Sequence, residues 1–188
     1  MRAMPDQDDY LARDDDALLR DCDVHLYKSS GPGGQHRNKV SSAVRLLHRP
    51  TGVVAHGDES RSQHENRRMA LRRLRMNIAC RVRRPAPGEG GRVPQVVREC
   101  LFTPRGPRRA NAATKGLQRL EIGRKDFRFW RVAAYLLDLV AACEGRLAPA
   151  AARLGITTSN LVSVLKSDRH LLAAAQGIRK EHARGPIT

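Results

Sequence analysis

The sequence predicts an α+β protein: a small β-sheet with one long helix over residues 1–84, then a small all-helical domain over 127–188. Three observations carry this. Apolar and polar residues alternate from Val24 to Lys28, and Ala43–His48 is again β-like. Leu71, Leu74, Ile78 and Val82 recur at helical spacing. Beyond residue 127 the periodicity is helical throughout, whereas 85–126 is basic, rich in Pro and Gly, and reads as a linker.

Each element follows from local chemistry. Residues 1–13 begin an acidic stretch and are expected to be disordered. Asp14–Leu19 reads as a short helix, because an Asp at its start caps orphan N–H groups while Leu18 and Leu19 offer an apolar patch. Val24–Lys28 is a strand, and Ser29–Gln35, with Gly31, Pro32, Gly33 and Gly34, is a loop. Ala43–His48, the turn Pro50-Thr51-Gly52 and a return strand from Val53 make a hairpin. Ser62 and Glu65 have capping-box spacing at the head of the long helix. In the second half, Trp130, Ala133, Leu137 and Val140 mark one helix, ended near Gly145. Leu147–Leu154 is a second, closed by Gly155. Thr157 or Thr158 caps a third carrying Leu161 and Leu165, and Asp168 starts a fourth with Leu171, Leu172 and Ala175 inward.

The 188 residues carry 35 Lys and Arg against 19 Asp and Glu, a formal charge of +16. The charge is unevenly placed. Residues 1–23 are net acidic, and 24–84 hold fourteen basic against three acidic side chains. Seven arginines (67, 68, 72, 73, 75, 81 and 83) follow the capping box with Glu65 as the one acid among them, so an anionic partner is expected, most simply nucleic acid. Aromatics are only 4% of the chain, too few for a row of rings stacking successive bases. No apolar run approaches the ~20 residues of a membrane span. The acidic start is no signal peptide. Cys22, Cys80, Cys100 and Cys143 lie far apart with no C-x-x-C pair, which fits a reducing, cytoplasmic setting without membrane attachment. His36, His48, His56 and His64 form no i, i+4 pair, so no metal and no cofactor are expected.

Gly33-Gly34-Gln35 has no general base, nucleophile or metal ligand of its own. Two glycines let the main chain approach a partner closely, and the following residue presents a backbone N–H to a developing oxyanion. Ser29–Leu46, then His48-x-Pro50-Thr51-Gly52-Val53-Val54, then Ser60–Asn66 are similar, in order, to the catalytic domain of class I peptide chain release factors, over about residues 24–76. The resemblance implies that the Gly33-Gly34-Gln35 tip enters the ribosomal peptidyl transferase centre, where water hydrolyses the peptidyl-tRNA ester. It implies that the N–H of Gln35 stabilises the transition state, that its side chain excludes larger nucleophiles, and that a methyltransferase acts on its amide. Ser30, Gly31, His36, Arg37, Asn38, Lys39, Arg45, Arg61, Ser62, Gln63, His64, Asn66, Arg67 and Arg68 are implied to support the tip or contact ribosomal RNA. Arg37 departs from the family's usual apolar residue, and Asp58-Glu59-Ser60 departs before Arg61. Only 23 residues precede Val24, which leaves no room for the family's codon-reading domain. The expectation is therefore a monomeric, codon-independent hydrolase of the short ribosome-rescue kind, with the ribosome and peptidyl-tRNA as partners.

Ala150–Leu165 resembles a helix-turn-helix. Its second helix offers nucleic acid Asn160, Lys166 and the hydroxyls of Thr158, Ser159 and Ser163. Arg153, Arg169, Arg179, Lys180 and Arg184 are candidates for phosphate contacts. The alternative functional reading is accordingly a non-catalytic nucleic-acid-binding protein dominated by this half. A plain helical bundle explains the same Ala and Leu pattern.

Overall fold

The computed structural model describes residues 7–28, 41–85, 92–103 and 116–187. The chain separates into two compact units, residues 1–82 and 83–188.

The first unit contains helices α1 (Gln7–Ala12) and α2 (Asp15–Arg20), strands β1 (Cys22–Tyr27), β2 (Ala43–His48) and β3 (Val53–Gly57), and helix α3 (Gln63–Arg81). The strands form one antiparallel sheet in the order β1-β2-β3. Its register runs from Cys22↔His48 to Tyr27↔Ala43, and from His48↔Val53 to Val44↔Gly57. The β2–β3 turn closes because Gly52 takes φ +68° and donates its N–H to the His48 carbonyl at 2.8 Å. That φ is open to glycine at little cost.

Helix α3 begins where Ser62 accepts a hydrogen bond from the Glu65 N–H at 3.4 Å. Its apolar stripe, Ala70, Leu71, Leu74 and Ile78, is buried together with Val44, Leu46 and Ala55 of the sheet. Each large aliphatic removed from water there contributes ~1.5–3 kcal/mol. Leu18 of α2 is fully buried as well, and Asp14 caps that helix by accepting from Ala17 N–H at 2.6 Å.

One expectation is corrected in this unit. Part of the N-terminal stretch expected to be disordered forms α1, whose Tyr10 and Leu11 are buried. Tyr10 meets the ring of His48 edge-on, with centroids 4.6 Å apart. Two buried residues in one short helix leave no readable period, and acidic neighbours mask them. Val24 and Leu26, apolar members of the β1 alternation, remain 39% and 48% exposed. Their cross-strand partners Leu46 and Val44 are buried. The difference lies in position, since β1 is an edge strand and α3 lies on β2 and β3.

The second unit contains α4 (Gln95–Arg98), β4 (Leu101–Phe102), β5 (Arg119–Leu120), α5 (Phe129–Ala142), α6 (Leu147–Arg153), α7 (Thr158–Lys166) and α8 (Arg169–Glu181). Helix α5 is its axis, buried almost all round from Val132 to Val140. Asp138, the charge that interrupts the apolar run, is 2% exposed. It accepts from Arg83 Nη1 at 2.9 Å and from the Arg84 N–H at 3.1 Å, as a buried carboxylate requires. Gly145 at φ +73° ends the α5 turn, and Gly155 at φ +64° separates α6 from α7. Thr157 caps α7 by accepting from Asn160 N–H, and Asp168 caps α8 by accepting from His170 N–H. Leu171 and Ala175 are fully buried as their spacing predicts, whereas Leu172 is only half-buried.

The segment 85–126, expected to be a linker, is partly structured. Within it α4 and the antiparallel pair β4–β5 bury Val96, Val97, Cys100 and Leu120. One helical turn and two-residue strands are too short for periodicity to reveal. Among the described residues no helix is long and apolar enough to cross a membrane, and no His, Cys, Asp or Glu cluster is suited to hold a metal ion.

Candidate functional site

Gly33, Gly34 and Gln35 lie outside the described residues, as do Ser30, Gly31, His36, Arg37, Asn38 and Lys39. What is described is the scaffold that carries this segment. Residues 28–42, which include this segment, connect the end of β1 to the start of β2, and Tyr27 and Ala43 face each other in the ladder. Directly opposed antiparallel residues have Cα atoms about 5 Å apart, so both ends of the connection are anchored at one point of the sheet.

Asn66 fixes that point. It is fully buried, and its amide is used completely at one end of the sheet. Nδ2 donates to the carbonyls of Ser42 and Ser60, each at 2.8 Å, and Oδ1 accepts from the Ser60 N–H at 2.8 Å. Ser42 immediately precedes β2, and Ser60 belongs to the turn leading into α3. One side chain on the first turn of α3 therefore ties the return of the connecting segment to the helix. The close packing needs Gly57, which faces Val44 at the end of β3. A Cβ there would stand 2.0 Å from the Asn66 carbonyl oxygen. Sequence reasoning passed over Gly57, because spacing alone does not show a backbone approach.

The turn is held further by a small polar network. Ser60 Oγ accepts from the Ser62 N–H at 3.1 Å and donates to Glu65. Arg73 donates to the His56 carbonyl at 2.8 Å and pairs with Glu59. Burial, the largest single effect, would raise the Glu59 carboxyl, but the Arg73 hydrogen bond, the backbone N–H groups of Asp58 and Glu59 and the Arg73 charge together outweigh it and hold the group below the usual carboxylate range. Asp58-Glu59-Ser60 thus has structural employment, with Glu59 and Ser60 both engaged.

The remaining site residues sort by what their charges meet. Arg45 is exposed on β2, level with His25 and His56 of the flanking strands, so one row of three basic side chains crosses the sheet. Arg61, Ser62 and His64 are exposed, Gln63 and Arg67 half-buried. His64, Arg68 and Arg72 are exposed at i, i+4 and i+8, which aligns them on one side of α3. Arg68 and Arg72 make no ion pair among the described residues. The helix is less starved of counter-charge than its own sequence implies. Arg73 is paired by Glu59, and Arg75 by Asp15 at 2.6 Å, with its second nitrogen on the Arg13 carbonyl. The acidic N-terminal stretch thus supplies an anion to α3. Among the described residues Arg68 and Arg72 have no such counter-charge.

Residues 17–89 match the RF-1 domain. The curated relatives agree. Peptide chain release factor 1 of Erythrobacter litoralis is 38% identical over 86 residues, covering 46% of this chain and 23% of that protein. Peptide chain release factor 2 of Lactiplantibacillus plantarum is 47% identical over 75 residues, covering 40% and 19%. Peptide chain release factor 1 of Limosilactobacillus reuteri subsp. reuteri is 47% identical over 75 residues, covering 40% and 20%. The chain spans about a fifth of the length of the curated relatives it matches. The segment similar to the RF-1 domain takes in most of α2, the three strands, α3 and the Asn66 staple.

In the second unit, two candidates for nucleic-acid contact are otherwise engaged. Asn160 Oδ1 accepts from the Leu120 N–H at 2.7 Å, and its Nδ2 donates to the Leu120 carbonyl at 3.0 Å. This side chain completes the edge of β5 and is not free to read a base. Arg179 donates to the carbonyls of Gly145 and Gly185, closing the end of α8. Thr158, Ser159, Ser163 and Lys166 are exposed along α7, and Arg169, Lys180 and Arg184 are exposed on or after α8.

Proposed function

We propose that this chain is a release-factor-like peptidyl-tRNA hydrolase that acts on the ribosome, in the cytoplasm, as a monomer. The observation that carries the reading is the match of residues 17–89 to the RF-1 domain, with a scaffold that anchors both ends of the segment bearing Gly33-Gly34-Gln35. In this reading the Gly33-Gly34 backbone approaches the ester linking peptide to tRNA. The N–H of Gln35 donates to the oxyanion that forms as water adds to the ester carbonyl, and the Gln35 side chain admits water while refusing larger nucleophiles. A donor aimed at a developing oxyanion lowers a barrier by ~3–4 kcal/mol, and the ribosome supplies the remaining groups. The Arg61–Arg72 stripe and the His25-Arg45-His56 row meet RNA phosphates. Gln35 is the position for amide methylation by a methyltransferase.

Release is further proposed to be independent of a stop codon, as in ribosome rescue. In the second unit the side chain on α7 best suited to a base edge, Asn160, is bound to the chain's own backbone. The hydroxyls and Lys166 that remain hold phosphates without distinguishing bases. A release assay on stalled ribosomes with and without a stop codon in the A site tests both parts. Peptide is expected in equal yield from both, and Gly34→Ala is expected to abolish it while ribosome binding persists. Release that needs the codon removes the rescue reading. Binding without release by the unaltered chain favours a non-catalytic nucleic-acid-binding protein instead.

A further inference from the structure

Phe127 is the most exposed large apolar side chain among the described residues, at 85% of its surface. It occupies a tight turn just ahead of α5, held by the Asp126 N–H on the Gly123 carbonyl and by the Phe129 N–H on the Asp126 carbonyl, both at 3.0 Å. One side of its ring is already occupied. The Arg128 guanidinium carbon lies 5.7 Å from the ring centroid, within cation–π range. That guanidinium is fixed. Asp126 takes it in a fork, Oδ1 accepting from Nε at 3.1 Å and Oδ2 from Nη2 at 2.8 Å, and Glu99 approaches Nη1 at 3.4 Å. Arg124 and Lys125, in the same turn, are exposed and carry no ion pair among the described residues.

A lone aromatic held outward beside a clamped guanidinium and flanked by two unpaired cations has the makings of a nucleotide site. We propose that the open face of the Phe127 ring stacks one unpaired base of a single-stranded nucleic acid, with Arg124 and Lys125 meeting the adjacent phosphates. A base offers a flat π-face to the ring, and the fixed Arg128 means that little side-chain order has to be acquired on binding. An acidic partner protein would use the two cations but has no need of the ring. An apolar protein surface would use the ring but would strand the cations. A nucleotide uses both through a single repeating unit, its flat base on the ring and its phosphates on the cations. The paucity of rings in the chain argues against a row of stacked bases, not against a single platform. The site stands on the second unit alone and does not depend on the hydrolase reading.

The test is fluorescence anisotropy of a labelled single-stranded RNA oligonucleotide with the full-length protein. Phe127→Ala is expected to weaken binding roughly 5- to 150-fold, the range for loss of one stacked base. Phe127→Trp is expected to retain it, and Phe127→Leu to behave like the Ala variant. Changing Arg124 and Lys125 to Gln together is expected to reduce the slope of log affinity against log salt by about 1.4, two phosphates' worth for a single strand. Photocrosslinking of a bromouridine-substituted oligonucleotide, mapped by peptide mass spectrometry, is expected to mark Phe127. Undiminished binding by Phe127→Ala with no crosslink at this turn overturns the proposal. Full rescue by Leu overturns it in favour of an apolar protein contact. Circular dichroism melts of the variants should match the parent protein, since the ring is almost entirely in solvent. None of these readouts measures peptide release, so failure here and failure of the hydrolase reading are separately visible.

Discussion

Replacing Asn66 by Ala removes three hydrogen bonds at once from the junction of β2, the Ser60 turn and α3. An unmet buried polar group costs ~1–3 kcal/mol, which for three groups sets an upper range near ~3–9 kcal/mol. Ser42 and Ser60 are only half-buried, so water reaches part of the exposed valence and lowers that figure. The truncation also leaves a small void beneath a fully buried side chain. The expected loss is ~2–4 kcal/mol. Asn66→Asp separates hydrogen bonding from packing. It keeps the volume and the acceptor for Ser60 N–H but sets a carboxylate oxygen against two carbonyls, so it should cost at least as much as Ala. Urea unfolding followed by far-ultraviolet circular dichroism measures both variants. The assay must resolve the first unit, and Gly57–Asn66 proximity makes hydrogen exchange of the β3 amides a suitable local reporter. A loss below ~1 kcal/mol for Asn66→Ala, or an Asp variant as stable as the parent, refutes the staple. On the proposed hydrolase reading, peptide release by Asn66→Ala should also fall at temperatures where the protein remains folded.

Two further predictions follow from the first unit. His48 is fully buried against Tyr10, shares a 2.7 Å hydrogen bond with Thr51 Oγ1, and has an Nε2 with no hydrogen-bond partner among the described residues. Burial pushes its pKa down from 6.5 to about 4. The unfolded chain therefore binds the extra proton first, and stability present above pH ~6.5 is lost as pH falls toward ~4, by up to ~3 kcal/mol. Urea midpoints of the parent protein should drop across that window and those of His48→Phe should drop less; parallel curves would exclude His48 as the cause. On the proposed RNA-contact reading of α3, Arg68→Gln with Arg72→Gln should lower affinity for ribosomal RNA and reduce its salt slope by about 2, leaving the melting temperature unchanged. An unchanged salt slope in a filter-binding titration would remove this face from the interface.

Much of the first unit was legible because its signals are local. The Ser62–Glu65 spacing marks the head of α3, Leu71, Leu74 and Ile78 mark its buried stripe, and Gly52 marks the hairpin turn. Long-range pairings escaped. Nothing near Arg75 in sequence announces Asp15, and nothing near Arg73 announces Glu59, so α3 read as more naked in charge than it is. Asn66 stands within the Ser60–Asn66 motif, but its three bonds depend on the fold. Asn160 shows the converse: an amide on a helix with recognition spacing is taken up by the backbone of Leu120, forty residues earlier. Elements of one turn or two residues, such as α1, α4 and β4, are set by packing and carry no period to read.

The pairing of Tyr27 with Ala43 has a consequence for how such a protein can change over generations. Because the ladder is shut at that pair and Asn66 locks the adjoining Ser42, residues added to or lost from 29–40 leave every partner in the β1–β2 register where it was. Doubling the length of a connection between two fixed anchors adds only ~0.6 kcal/mol of closure entropy. Reach and sequence between the two anchors are therefore nearly decoupled from foldability, and selection is free to tune the one without renegotiating the other.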